Sequence, residues 1–148
     1  MLEAVEATDL KPGVKFVYKE GDMMNTRYLK NLPVLETGVL ETFNVNNIKD
    51  ERQFGYHLIG YLKVPESGVY TFSLEANDGA VLYINDRIII DNDGGHRAQM
   101  LDTKIGLKKG WHPIQVDYFQ QGLAKSLTVK WEGPGILNQI IPANVLYH

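Results

Sequence analysis

Apolar and polar residues alternate in short runs along most of this chain, and glycine, proline, asparagine and aspartate separate the runs. The clearest run covers residues 54–62, where Phe54, Tyr56, Leu58 and Leu62 fall on one face of an extended strand. No stretch of the sequence combines a sustained helical period with helix caps. About nine or ten short strands, spaced by roughly ten residues, predict an all-β sandwich or barrel.

The turn residues predict how some of these strands are joined. Asn85-Asp86, two residues that tolerate positive φ, separate two apolar runs and predict a tight hairpin. Residues 114–119 and 126–131 are predicted to form the last long pair of strands, and Gly133-Pro134-Gly135 is predicted to end the regular structure. Residues 21–32 have no clean period, which leaves a long loop or a short helix. The other strands are predicted at residues 14–18, 39–43, 69–74, 80–84, 87–90 and 104–107.

The length of 148 residues predicts one domain, and no internal repeat divides it. Residues 1–11 are acidic, small and unpatterned, so they are predicted to be a linker or lead-in. Residues 12–148 are predicted to form the domain itself. The segment after Met1 lacks the apolar core of a signal peptide, but a module excised from a longer chain would also lack the signal of its parent.

Composition and charge exclude several classes of protein. The chain has no cysteine, which excludes disulfide scaffolds, thiolate zinc sites and cysteine nucleophiles. It has 15 basic and 18 acidic residues, a net charge of −3, and no basic stripe, so nucleic acid is not an expected partner. No apolar run is long enough to span a bilayer, so membrane insertion is not expected either.

The chain also lacks the usual sequence signatures of catalysis. No serine lies in a Gly-x-Ser-x-Gly motif, and no two histidines have the four-residue spacing of a helical zinc site. His57 lies within a predicted strand and His112 at the opening of one, which favours a packed or surface position for both over a chemical role. His96 lies in a polar loop beside two aspartates and is the best functional candidate among the histidines, although a merely polar loop is the more frequent explanation.

Two loops are rich in acidic and amide residues, residues 75–80 (EANDGA) and 91–96 (DNDGGH). Calcium prefers several carboxylate and carbonyl oxygens from short turning loops. The second loop fails as an EF-hand, because His96 stands where glycine is needed, Asp102 stands where glutamate is needed, and no helices flank it. From composition alone, turn formation is the favoured role of both loops.

The aromatic residues suggest a further role, since tyrosine and tryptophan rings suit the apolar faces of sugars. Trp111 and Trp131 adjoin strands, so core packing is the favoured role of both. The segment from Tyr118 to Gln121 places two amides after aromatic residues at a strand end, where a loop would project.

Ordered motifs cover nearly the whole chain from Pro12 onward. They comprise Pro12-Gly13-Val14, residues 54–62, residues 68–85 (GVYTFSLEANDGAVLYIN), residues 89–92 with His96, residues 105–114 (IGLKKGWHPI), residues 116–119, residues 127–131 and Gly133-Pro134-Gly135. Together these motifs resemble the PA14 domain family, which is named after a segment of the protective antigen of a bacterial toxin.

The resemblance implies an antiparallel β-sandwich of jelly-roll type that belongs to secreted, periplasmic or surface proteins, including glycoside hydrolases and adhesins. The implied role is carbohydrate binding. In the fungal adhesins of the family, two consecutive aspartates and a later asparagine hold a calcium ion that ligates the sugar. Those positions correspond here to Asn77, Asp78 and Gln120. Both departures keep an oxygen donor, but Asn77 removes one charge and Gln120 has a longer side chain.

These observations lead to a main hypothesis and an alternative. The main hypothesis is a non-catalytic carbohydrate-binding module that recognises an oligo- or polysaccharide through Asn77, Asp78, Gln120 and Gln121, with His96 or Tyr118 beside them. The alternative is a structural module that docks on a parent catalytic domain in cis and shapes its substrate entrance. An autonomous enzyme is disfavoured, because the acidic residues lie in turn motifs of a small domain.

Overall fold

Two antiparallel β-sheets pack face to face in the computed structural model, which describes residues 1–45, 53–94, 99–121 and 125–148. The strands are β1 (Val14–Glu20), β2 (Glu36–Leu40), β3 (Phe54–Val64), β4 (Gly68–Asn77), β5 (Gly79–Ile84), β6 (Arg87–Asn92), β7 (Gln99–Leu107), β8 (Gly110–Gln120), β9 (Ser126–Gly133), β10 (Ile136–Ile140) and β11 (Leu146–Tyr147). Two 3-10 helices cover Thr26–Asn31 and Ala143–Val145. The structure confirms the predicted β-sandwich and excludes the barrel.

The strand order shows where the chain crosses between the two sheets. The larger sheet has the order β2-β1-β3-β8-β5-β6, with β11 also paired to β3, and the smaller sheet has the order β10-β9-β4-β7. Strands β4 and β5 are consecutive in sequence but lie in opposite sheets. Because β4 ends at Asn77 and β5 begins at Gly79, the crossing takes place within three residues.

Alternating side chains from both sheets form the core. Along β8, Ile114, Val116 and Tyr118 point inward, as the two-residue period of a strand requires. Trp131 is the largest buried side chain, and its ring stacks on Tyr70 with centroids 5.5 Å apart. The chain has no cysteine, so this interdigitated packing and the strand ladders stabilise the sandwich without disulfides.

Several predicted elements agree with the structure. Asn85 and Asp86 have φ of 53° and 62°, as the tight β5–β6 hairpin requires. Strand β3 matches the prediction for residues 54–62 closely, and residues 21–32 contain the short 3-10 helix. The prediction of a buried Trp131 is confirmed, whereas Trp111 is half-buried on the outer face of the larger sheet against Tyr147.

Other predicted elements differ from the structure. Residues 114–119 and 126–131 do not pair, because β8 bonds β3 and β5 in one sheet while β9 bonds β4 and β10 in the other. The predicted strand at 39–43 lies instead at Glu36–Leu40. Regular structure also continues after Gly135, since β10 adds an edge strand to the smaller sheet and β11 pairs with β3. Alternation of apolar residues indicates a strand but carries no information about its partner.

Residues 1–11, predicted as a linker, lie along the sandwich instead of extending away from it. The backbone N–H of Leu2 donates to Gly106 at 2.8 Å, and that of Val5 donates to Trp111 at 2.9 Å. Asn85 Nδ2 donates to the carbonyl of Glu3 at 2.8 Å, while its Oδ1 lies 2.9 Å from Nδ1 of the fully buried His112. The segment therefore packs against the end of the sandwich that carries the β5–β6 turn.

The segment between β1 and β2 folds over the outer face of the larger sheet. Met23 and Leu29 pack there against Phe119 in a small second apolar cluster. Lys19 Nζ donates to the carbonyl of Leu29 at 2.7 Å, which ties the 3-10 helix to β1. These contacts place residues 22–31 beside the loops that follow β4 and β6. No helix in the described parts of the chain is long and apolar enough to cross a membrane.

Candidate functional site

Polar loop residues gather at the end of the sandwich where β4 passes into β5. The peptide bond between Asn77 and Asp78 is cis, and the Asp78 N–H donates to the Phe119 carbonyl at 3.0 Å. This hydrogen bond attaches the segment that crosses between the sheets to the end of β8. Asn77, Asp78 and Gln121 are each partly exposed, so their polar groups are accessible from solvent.

Two carboxylates from distant parts of the sequence converge on Gln121. Its backbone N–H donates to Asp78 Oδ2 at 2.6 Å, and its side-chain Nε2 donates to Asp22 Oδ1 at 3.0 Å. Asp22 lies in the segment after β1, and local sequence patterns do not predict its presence here, because it precedes Asp78 by 56 positions. We call Asp22, Asp78 and Gln121 the loop-end cluster.

The other two predicted residues at the end of β8 point into the core. Tyr118 is fully buried, so its ring does not lie on the surface where a sugar could stack. Its hydroxyl donates to the Asn77 carbonyl at 2.7 Å and accepts from the Ser126 N–H at 3.1 Å, so Tyr118 positions the loops from below. Gln120 shares the inward face and is 2% exposed.

The calcium ligands that the family resemblance implies are matched only in part. Asn77, Asp78 and Gln120 all carry oxygen donors, and Gln120 Oε1 is a buried acceptor without a hydrogen-bond partner among the described residues. Asp78 is the one charged group of the three, and its Oδ2 already accepts from Gln121. Within the described ranges, no group of three or more His, Asp or Glu side chains could hold a metal ion. The oxygen atoms of Asn77, Asp78 and Gln120 are therefore the type of ligand that calcium prefers, but together they supply only one negative charge.

The acidic loop after β6 has a structural role. The Asp93 carboxylate accepts from the Thr26 N–H at 2.9 Å and from the Thr26 hydroxyl at 2.8 Å, and it also accepts from the Gly94 N–H at 2.9 Å. Asp93 therefore attaches the first 3-10 helix to the end of β6, a long-range contact in addition to the turn formation that the composition of this loop favours. His96 lies outside the described residues.

Asn92, just before this loop, connects the two sheets. Its buried side-chain Nδ2 donates to the Leu74 carbonyl and to the Gln99 carbonyl, both at 2.9 Å. Gln99 Nε2 donates in return to Asn92 Oδ1 at 3.0 Å. The loop after β6 is thereby fixed to β4 and β7 in the opposite sheet.

Gly79 brings the loops after β4 and β6 into direct contact. A Cβ atom at this position would lie 2.6 Å from the Gly94 carbonyl oxygen, 2.9 Å from the Gly94 nitrogen and 2.7 Å from a ring carbon of Phe119. Such distances are far inside van der Waals contact, and the Gly94 backbone cannot move aside by a rotamer change. Glycine is therefore required here by close approach.

We expect Gly79→Ala to lower the free energy of unfolding by about 1–3 kcal/mol, because the new methyl group must displace the Gly94 backbone. Chemical denaturation measures this loss. Gly135→Ala is the matched control, since Gly135 has φ of 70° and no atoms near its Cβ position, so that variant reports backbone strain without a clash. Equal unfolding curves for Gly79→Ala and the wild type would contradict the close contact.

An aromatic residue outside the loop-end cluster also lies at the surface. Tyr83 points to the outer face of the larger sheet and lines a hollow of about 340 Å³ together with residues 24–27, Val81, Ile88 and Asp91. Burial raises the pKa of its hydroxyl, and the carboxylates of Asp117, Asp93 and Asp91 raise it further. Tyr83 was not among the predicted site residues, although its position in β5, which alternates with the buried Leu82 and Ile84, indicates that its ring faces away from the core.

His57, on the same outer face, forms a contact with Asp117 that connects two neighbouring strands. His57 Nδ1 lies 2.8 Å from Asp117 Oδ1, and Gln115 Nε2 donates to the same oxygen at 2.8 Å. His57 and Asp117 are directly opposed on β3 and β8. The pair therefore acts as a cross-strand contact, in line with the structural role that the sequence favoured.

Comparison with known proteins identifies relatives of this chain. It is 26% identical over 133 residues to the anti-sigma-I factor RsgI3 of Acetivibrio thermocellus, which covers 88% of this chain and 20% of that protein. It is 26% identical over 121 residues to a beta-hexosaminidase of Porphyromonas gingivalis, which covers 76% of this chain and 15% of that protein. The chain thus spans about a fifth or less of the length of these curated relatives.

A solved structure and a family model match the sandwich itself. The PA14 sugar-binding domain from an RTX adhesin superposes with a TM-score of 0.76 at 15% identity, covering 93% of this chain and 98% of that one, a likeness that shows the fold. The model of the PA14 domain family matches residues 10–144. The chain belongs to the PA14 domain family.

Proposed function

We propose that this chain is a non-catalytic carbohydrate-binding module of a larger secreted, periplasmic or cell-surface protein. The observation that carries the proposal is the loop-end cluster, where Asp22, Asp78 and Gln121 present carboxylate and amide groups at the sandwich end. Such planar polar groups bind sugar hydroxyls as paired donors and acceptors. The PA14 domain from the RTX adhesin is a sugar-binding domain of the same fold, which supports the same class of ligand.

The residues beneath the cluster support binding by fixing its geometry before a ligand arrives. Tyr118 bonds the backbone on both sides of the site, and Asp78 bonds the end of β8. A preorganised site loses less conformational entropy on binding than a flexible one. Because its polar groups are also partly hydrated, we expect weak affinity for a single sugar residue, as hydrogen bonds to water are exchanged for hydrogen bonds to the ligand.

Asp78 is the residue whose replacement tests this site. We expect Asp78→Asn to weaken oligosaccharide binding about tenfold or more, because a charged hydrogen-bond acceptor contributes about 1.5–3 kcal/mol. The measurement is a glycan array followed by calorimetry with the glycan that gives the strongest signal. Asp86→Asn is the matched control, since Asp86 lies in the exposed β5–β6 turn at the other end of the sandwich. Unchanged binding by Asp78→Asn would exclude the loop-end cluster as the sugar site.

The proposal includes a weakly bound calcium ion, for which Asn77, Asp78 and Gln120 would be the ligands. The buried, unpartnered oxygen of Gln120 supports an ion at this position, and the uncharged Asn77 limits its affinity. We expect a dissociation constant of about 10⁻⁴–10⁻³ M, the range of weakly charged extracellular sites. Each binding measurement is therefore made with added calcium and with a chelator. Absence of glycan binding in both conditions would contradict the carbohydrate-binding proposal as a whole.

The alternative is a module that docks on a parent catalytic domain, such as a glycoside hydrolase, and shapes its substrate entrance. Its support is the coverage of only 15% of the hexosaminidase relative, together with two exposed apolar side chains on edge strand β10, Leu137 and Ile140. Deleting the module from its parent separates the two proposals. A changed chain-length preference without loss of glycan affinity would favour docking.

A further inference from the structure

Tyr83 stands between two hollows on the outer face of the larger sheet. The first is the hollow of about 340 Å³ beside the 3-10 helix, and the second, smaller one continues on the other side of the ring toward Ile59 and Gln115. We call the surface formed by Asn25, Arg27, Val81, Tyr83, Ile88 and Asp91 the Tyr83 groove. An extended ligand could cross the ring and occupy both hollows.

The walls of this groove are held by contacts already described. The β5–β6 hairpin pairs Val81 with Asp91 and Tyr83 with Ile88. The opposite wall, at residues 24–27, is attached to β6 by the hydrogen bonds between Thr26 and Asp93. Little ordering of the backbone is therefore needed when a ligand binds, which lowers the entropic cost of binding.

The groove offers complementary partners for both kinds of surface that a pyranose ring presents, its C–H faces and its hydroxyl groups. Ile88 and the Tyr83 ring supply apolar surface for the C–H faces of a sugar, while Val81 lines the groove but is 3% exposed. Arg27, Asn25 and Asp91 supply planar polar groups for its hydroxyls, and both Arg27 and Asp91 are exposed.

The charges around Tyr83 restrict which sugars fit. Asp91 and Asp93 line the groove and Asp117 lies near its floor, against the single guanidinium of Arg27 among the lining residues. This excess of negative charge would repel a carboxylate on the ligand. It would not repel an uncharged sugar or a protonated amino group. The charge balance therefore disfavours uronic acids.

We propose that the Tyr83 groove is a second sugar-binding site, separate from the loop-end cluster, which binds neutral or amino sugars and excludes acidic ones. This inference rests on the proposed carbohydrate-binding function. It adds a second binding site, on the outer face of the larger sheet, and it specifies a class of ligand that the loop-end cluster does not define.

The test is a titration followed by NMR of the backbone amides, with N-acetylchitohexaose, chitohexaose and hexagalacturonate at millimolar concentration as the probes. We expect shifts at Val81, Tyr83 and Ile88 with the neutral or the amino oligosaccharide and none with hexagalacturonate. Tyr83→Ala should weaken this binding about two- to twelvefold, since an aromatic contact of this kind contributes about 0.5–1.5 kcal/mol. Tyr83→Phe should bind like the wild type, because the ring remains.

Tyr61→Ala is the matched control, because Tyr61 is also half-buried on the outer face of this sheet and lines neither hollow. Shifts confined to Asn77–Gly79 and Gln121, or equal binding by Tyr83→Ala and the wild type, would overturn the groove while leaving the loop-end cluster intact. Tight binding of hexagalacturonate at Tyr83 would overturn the proposed ligand class. No shift with any oligosaccharide would overturn the groove together with the carbohydrate-binding function.

Discussion

Replacing Trp131 with alanine will lower the free energy of unfolding by about 3–5 kcal/mol, the range for large aromatic residues in protein cores. Trp131 is 1% exposed, stacks on Tyr70 and lies with its ring centroid 6.3 Å from that of Phe72. Its removal leaves a cavity in the core, next to these two rings of β4. Denaturation with urea, fitted to a two-state transition, measures the loss.

Two further variants separate the causes of this effect. Trp131→Phe should cost much less, because it retains an aromatic ring and removes an indole N–H that has no hydrogen-bond partner among the described residues. Trp111→Ala should cost less than Trp131→Ala, because Trp111 is half-buried on the outer face. A loss below about 1 kcal/mol for Trp131→Ala would contradict the close packing of the Trp131 ring in the core.

Replacing Asn92 with leucine will be the second large effect, and we expect it to lower the free energy of unfolding by about 2–4 kcal/mol. The substitution keeps the approximate volume but removes both donors, which leaves the Leu74 and Gln99 carbonyls without their hydrogen bonds from Asn92. Each buried polar group left unsatisfied costs about 1–3 kcal/mol. The same denaturation experiment measures the change.

The control for Asn92 is the same substitution at an exposed position. Asn138→Leu, on edge strand β10, should change the free energy of unfolding by less than about 0.5 kcal/mol. Amide exchange gives a second measurement, since loss of the bridge should increase exchange at the end of β6 and in β7 more than in β3. Equal stability of Asn92→Leu and Asn138→Leu would contradict the role of Asn92 as a connection between the sheets.

The fold was predictable from sequence to the extent that local patterns determine it. Alternating burial in β3 and β8 and the turn chemistry of Asn85-Asp86 are local properties, and the structure confirms them. Strand pairing depends on contacts between distant residues, so the pairing of residues 114–119 with 126–131 was predicted wrongly. The family motifs indicated the sandwich but carried no information about β11, which is two residues long.

The candidate site was predictable in position but less so in its parts. Asn77, Asp78 and Gln121 were expected together, and the hydrogen bond between Asp78 and Gln121 joins two of them. Tyr118 and Gln120 point inward because alternation along β8 continues to the last residue of the strand. Asp22 and Tyr83 were missed, since one is brought in by the fold from a distant loop and the other looks like an ordinary strand residue.

Lys11 and His148 lie side by side on the surface of the sandwich. They exchange backbone hydrogen bonds, each 2.8 Å long, and Pro12 and Tyr147 are joined by an antiparallel bridge. The segment that leads into β1 and the segment that follows β11 therefore hold each other in place through their backbones, although most of the sequence lies between them.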